Sequence, residues 1–124
     1  MSETEIKSFR DLRVWQESIG LVKDIYSITS QFPDEEKFGL VTQMRRSAVS
    51  IPSNIAEGAG RGSQREFAQF LVIARGSLSE LETQLIIAKE LNYLSDIAGI
   101  ENRMQSIFQL LGGLLSKVRK KVAA

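Results

Sequence analysis

Between Ser63 and Asn92 the residues Phe67, Leu71, Ala74, Leu78, Leu81, Leu85 and Ala88 recur at steps of three and four, with no proline among them. Side chains at that spacing share one face of a helix, whereas a strand would scatter them over both of its faces. Ser63 and Glu66 stand at the S-x-x-E spacing of a capping box, so the helix is expected over 64–92. Such a stripe must be covered, and the chain offers three further rows to cover it. Leu12, Trp15, Ile19, Val22 and Tyr26 form one over 9–31, opened by Ser8 and Asp11 as a variant capping box. Val41, Met44, Ala48, Ile51 and Ile55 form another over 35–59. Pro33 separates the two, and Asp34, Glu35 and Glu36 suit the positive end of the helix that follows. Ile97, Ile100, Met104, Ile107, Leu111, Leu114 and Val118 complete the set over 96–120. No alternating period-two stretch competes, and short connections make neighbours antiparallel. The expected fold is all-α, one up-down-up-down antiparallel four-helix bundle spanning 1–124.

Apolar residues also lie off these rows, among them Val14, Leu21, Ile25, Ile28, Phe70, Ile73, Phe108, Leu110 and Leu115. An apolar arc wider than a solitary bundle needs points to self-association, the alternative being a broad monomer core with scattered surface apolars. Trp15 and Tyr26, being in the helix 1 row, are expected to be buried as core or interface anchors. Gly20, Gly39, Gly76, Gly112 and Gly113 weaken their helices, which is tolerable where backbones approach closely.

Pro52 stands inside the second row, where it removes a backbone bond to the Ala48 carbonyl at a cost of roughly 3 kcal/mol unless something compensates. Ser50, Ser53 and Asn54 are on hand to satisfy freed carbonyls, so a helix kinked near Pro52 is expected. Asn54 and Glu57 are candidates for a polar cluster with Arg46 or Arg75, and the glycines from Gly58 to Gly62 supply the cap and turn. The run GAGRG also invites a phosphate-loop reading. Ser63 stands where the dinucleotide fingerprint needs glycine, no Gly-Lys-Ser/Thr triplet is present, and both motifs follow a strand. A structural turn is the better reading.

The chain has no histidine and no cysteine, which removes the commonest metal ligand and general base together with thiolate sites. A di-iron bundle would need Glu-x-x-His pairs, so no metal, cofactor or enzymatic activity is expected. The opening MSETEIKS is unlike a secretory signal and no apolar run is long enough to span a membrane, giving an expected cytoplasmic location. Net charge is only +1, yet its placement is uneven. Up-down topology gathers Lys7, Arg10, Arg13, Arg61, Arg65, Lys117, Arg119, Lys120 and Lys121 at one end, diluted by Glu3, Glu5, Asp11, Glu57 and Glu66. Asp34, Glu35, Glu36, Glu90, Asp96 and Glu101 gather at the other, relieved by Lys37, Lys89 and Arg103.

The residues FRDLRVW with Phe9, Leu12 and Trp15, then FPDEEKFGLVTQMRR, Ser50, Pro52, NIAEGAGR from Asn54 to Arg61, and EFAQFLVIARGSLSELETQL from Glu66 resemble a known bacterial family. It is the four-helix-bundle family named for proteins encoded in 23S ribosomal RNA intervening sequences, to which the accessory variability determinant of diversity-generating retroelements is similar. The matches extend from Phe9 to about Leu94, with helix 4 agreeing in pattern only. The resemblance implies a bundle often assembled as a homopentamer, without known enzymatic activity. For the retroelement relatives it implies contact with nucleic acid and with a reverse transcriptase.

The leading expectation is therefore a non-enzymatic, oligomeric RNA- or DNA-binding or RNA-protein scaffolding module. Its candidate contacts are Arg10, Arg13, Arg61, Arg65, Lys117, Arg119, Lys120 and Lys121, with Pro52, Asn54, Glu57 and Gly58 as a structural motif. No aromatic residue lies beside KVRKK, so binding should be mainly electrostatic and weakly sequence-specific. The alternative is a protein-interaction adaptor with no direct nucleic-acid role.

Overall fold

The computed structural model describes residues 8–123. Four α-helices carry the fold: α1 Arg13–Thr29, α2 Leu40–Ala59, α3 Gln64–Glu90 and α4 Ala98–Ala123. Short 3-10 turns at Phe9–Asp11 and Asp34–Glu36 precede α1 and α2. Each helix packs on its chain neighbours, most extensively α2 on α3, and α1 closes the ring against α4. The result is an all-α four-helix bundle.

Two helices begin later than the sequence suggests, for local reasons. The Ser8 hydroxyl accepts from the Arg10 N–H at 3.2 Å, so it caps the 3-10 turn instead of α1. Leu12 then adopts an extended conformation that buries its side chain, and α1 starts only at Arg13. After Pro33 the three acids likewise form a 3-10 turn, and the chain bends at Gly39 before α2 begins at Leu40. Glu36 still serves the helix end, because its Oε1 accepts from the Leu40 N–H at 3.3 Å. The Ser63 hydroxyl accepts from the Glu66 N–H at 3.1 Å and starts α3 as expected. That helix stops at Glu90, two residues early, because Asn92 turns left-handed at φ 63°. The Tyr93 N–H reaches the Ala88 carbonyl and the Asn92 N–H the Lys89 carbonyl, both at 3.0 Å, which is a Schellman cap. At the end of α2, Gly60 keeps a right-handed conformation and the left-handed residue is Gly62, at φ 83°.

The core rows of α2 and α3 match their sequence patterns, except that Phe67 is only partly buried. In α4, Leu115 takes the buried place expected of Leu114. Helix α1 reverses expectation. Its buried face is Val14, Ser18, Leu21, Ile25 and Thr29, while Trp15, Ile19 and Val22 are half-buried and Tyr26 is 44% exposed. Ser18 and Thr29 tolerate burial because their hydroxyls donate to the carbonyls of Val14 and Ile25, each at 2.6 Å.

Close backbone approach occurs at Gly58, where an added Cβ would stand 2.6 Å from the Phe70 Cβ across the α2–α3 contact. Gly76, Gly112 and Gly113 do not play this part: beyond their own stretch of helix backbone, no described atom comes within 4 Å of a Cβ built on them.

Candidate nucleic-acid interface

The basic end is assembled from three separate segments. The 3-10 turn at Phe9–Asp11 packs on α1 and α2 and presents Arg10, with Arg13 on the first turn of α1. The Arg10 guanidinium lies over the Phe9 ring, 4.8 Å from its centroid, and Phe9 meets Trp15 edge-on at 5.2 Å. Arg65, on the first turn of α3, and Arg119, near the end of α4, border a shared cleft with Ala68, Val72 and Val122. A second depression, on the other side of Arg119, brings in Lys120 and Arg75. Lys117 and Lys121 stand exposed on the same closing turns of α4. Lys7, Glu3 and Glu5 lie outside the described residues.

Arg61 has a different role from its neighbours. Its guanidinium pairs with Glu57 at 2.7 Å and Glu66 at 3.9 Å, and lies over the Phe70 ring, 5.0 Å from the centroid. It ties the end of α2 to the start of α3, and its charge is largely answered within the chain. Glu57 thus pairs with Arg61 instead of joining Asn54 and Arg46 or Arg75. Arg75 is the basic-end residue that sequence reasoning placed elsewhere. The signal for it was its position along α3 from Arg65, on the side that faces α4.

Helix α2 runs through Pro52 without interruption. Side chains bond the carbonyls just beyond the one that proline leaves free: Ser53 donates to Val49 at 2.7 Å, and Asn54 to the Ser50 carbonyl at 2.8 Å. Asn54 also donates to the Ser50 hydroxyl, which lies 2.9 Å from that of Ser77 on α3. Ser47 donates to Glu80 at 2.6 Å further along the same seam. Gln84 closes the seam with its Oε1 buried and unpartnered among the described residues.

The acidic end is organised around Glu36. Its Oε2 accepts from the Tyr93 hydroxyl at 2.7 Å, and this bond, aided by desolvation and the charges of Glu36 and Glu35, holds the Tyr93 pKa above its ordinary value of 10.0. Arg103 does not relieve this end. It pairs instead with Asp24 at 3.0 Å and Glu17 at 3.5 Å on α1, across Gly20.

A family profile described as "23S rRNA-intervening sequence protein" matches residues 10–113. Among solved structures, the chain is similar to a protein of unknown function from the S23 ribosomal protein family of Bacteroides thetaiotaomicron. The two share 26% identity and superpose with a TM-score of 0.76, over 83% of this chain and 95% of that one. No curated protein matches the chain significantly.

Proposed function

The chain belongs to the 23S rRNA-intervening sequence protein family, and on that premise we propose that it is a non-enzymatic, oligomeric module that binds RNA through its basic end. The observation that carries the reading is that Arg10, Arg13, Arg65, Lys117, Arg119, Lys120 and Lys121 are all exposed on the three segments that up-down topology gathers at one end, with Arg65, Arg119 and Lys120 on adjoining depressions, in a chain whose net charge is only +1. Arg75, half-buried in the second depression, extends the same basic surface. Phosphates are the natural counter-charge, and among the described residues no aromatic side chain borders the two depressions to stack on bases. Binding is therefore a matter of charge, tolerant of sequence.

Assembly strengthens it. The outer α1 row of Trp15, Ile19, Val22 and Tyr26 is an apolar strip, and Ile73 and Ile87 stand exposed as separate apolar points on α3, a helix that α1 does not touch. Two different apolar surfaces on one protomer suit head-to-tail contacts that close into a ring, and a homopentamer is the ring the resemblance implies. A ring would set several basic ends side by side, where their fields add.

The test is a salt titration of labelled structured RNA and duplex DNA, with the oligomeric state fixed by light scattering. Removing one phosphate interaction should make the plot of log affinity against log salt shallower by about 0.7–0.9. Replacing Arg65, Arg75, Arg119 and Lys120 by glutamine should flatten that slope, and an unchanged slope refutes the surface. The same apolar surfaces support the second reading, a protein adaptor. One stoichiometric partner that survives nuclease and high salt, with no RNA bound at low salt, would establish it.

A further inference from the structure

Phe32 and Phe38 flank the same acidic turn and have opposite fates. Phe32 is buried and packs on Tyr93, ring centroids 5.3 Å apart, whereas Phe38 is 88% exposed. A single exposed apolar side chain is ordinary. Phe38 differs in standing on a backbone turn that hydrogen bonds fix on both sides. Lys37 donates its N–H to the Asp34 carbonyl at 3.1 Å, Gly39 to the Glu36 carbonyl at 3.0 Å, and Thr42 its hydroxyl to the Lys37 carbonyl at 2.7 Å. The Glu36 bonds to Tyr93 and Leu40 anchor the turn to the bundle. The backbone that carries this aromatic knob, with Asp34, Glu35 and Glu36 before it, is thereby ordered in advance, and the Lys37 ammonium lies 5.7 Å from the ring centroid.

The opposite end carries a matching hole. The cleft between the start of α3 and the end of α4, about 320 Å³, is mostly apolar, with Ala68, Val72 and Val122 on its walls and Arg65 and Arg119 at its edges. Among the described residues, no acidic side chain borders it.

We infer that this cleft receives the Asp34–Phe38 turn of a second copy, with the Phe38 ring on Ala68, Val72 and Val122 and Asp34 and Glu35, the acids of the turn that Tyr93 and Leu40 do not engage, against Arg65 and Arg119. Charge complementarity selects the occupant: the turn is net acidic even with Lys37 counted, the charged side chains described at the cleft are both basic, and each lies at the end of the bundle where its own sign prevails. Knob and hole occupy opposite ends of one protomer, so the contact is head-to-tail and propagates along the bundle axis. It uses the ends, whereas the apolar surfaces on α1 and α3 are lateral. It also covers Arg65 and Arg119, so end-to-end association and RNA would exclude each other; only this last consequence rests on the RNA reading.

Sedimentation velocity of the full chain, over a range of protein concentrations at low and high salt, tests the contact. Wild type should grow with concentration and shrink with salt. Phe38→Ser should weaken that growth about tenfold or more, the loss expected for an anchoring aromatic, with thermal unfolding unchanged at high salt and high dilution, where wild type is also dissociated, because the ring is outside the core. Arg65→Glu with Arg119→Glu, which makes the edges of the cleft repel the acidic turn, should do the same. A mixture of the two variants restores one knob and one hole, so it should associate pairwise without growing further. A Phe38→Ser chain that sediments like wild type, a wild type that never grows, or a mixture that fails to pair overturns the inference. None of these outcomes depends on whether RNA binds.

Discussion

Helices α3 and α1 have comparable apolar content, yet they use it differently. Along α3 the apolar row is the buried row, and Leu71, Leu78 and Leu81 are wholly inaccessible. Along α1 the bundle buries Ser18 and Thr29 while leaving Trp15 half-buried and Tyr26 exposed. The tightness of the packing differs as well. Opposite α3, Gly58 lets backbone meet the Phe70 Cβ, whereas Gly20 on α1 lies beneath the movable end of Arg103. The contrast teaches that apolar content does not decide which face turns inward. In α1 the inner row can be buried because Val14, Leu21 and Ile25 carry it and the Ser18 and Thr29 hydroxyls satisfy themselves on their own helix, and the larger outer row is left for another surface.

Several substitutions can break this contrast. Leu78→Ala should destabilise the protomer by about 2–5 kcal/mol, while Ile19→Ala should cost under about 1 kcal/mol and act mainly on the oligomeric state. Chemical denaturation beside light scattering reads both, and equal losses of stability would erase the distinction. Next in size, Gly58→Ala should cost about 1–3 kcal/mol through overpacking. Gly20→Ala should be close to neutral or stabilising by up to about 1 kcal/mol, because Arg103 can move aside and alanine favours the helix. Thermal melts of the pair decide whether the α2–α3 contact is the stiffer one. Gln84→Met removes the unpartnered buried oxygen from the α2–α3 seam and should lie within about 1 kcal/mol of wild type, on the stabilising side if the seam is dry. A large loss would mean that the oxygen has a partner in solution.

The smallest effect concerns pH. The Tyr93 pKa is raised in the fold because the neutral hydroxyl donates to Glu36. Its contribution to stability is fully present below the unfolded value near 10.0 and is lost as pH rises through the higher folded value. Tyr93→Phe should lack that alkaline loss while matching wild type in its pH dependence near neutrality, as read by denaturation midpoints from about pH 7 to 11.

The basic end was legible in outline because up-down topology gathers the N-terminal segment, the α2–α3 turn and the end of α4. Its membership was not. Arg61 groups with Arg65 by its place in the chain, although Glu57 four residues before it already offers an i,i+4 partner; the structure adds the weaker pairing with Glu66 and the Phe70 ring beneath it. Arg75 looked like a partner for the Pro52 region until the packing of α3 placed it beside α4.

Periodicity, capping and breaking residues belong to each helix alone, so the sequence by itself determined the number of helices, their type, and the buried rows of α2 and α3. The tertiary structure decided which of the two apolar rows of α1 faces inward, which arginines remain available, and that Phe38 stands out where Phe32 is buried. Those outcomes depend on what approaches each side chain from another helix, and a one-dimensional pattern carries spacing but not neighbours.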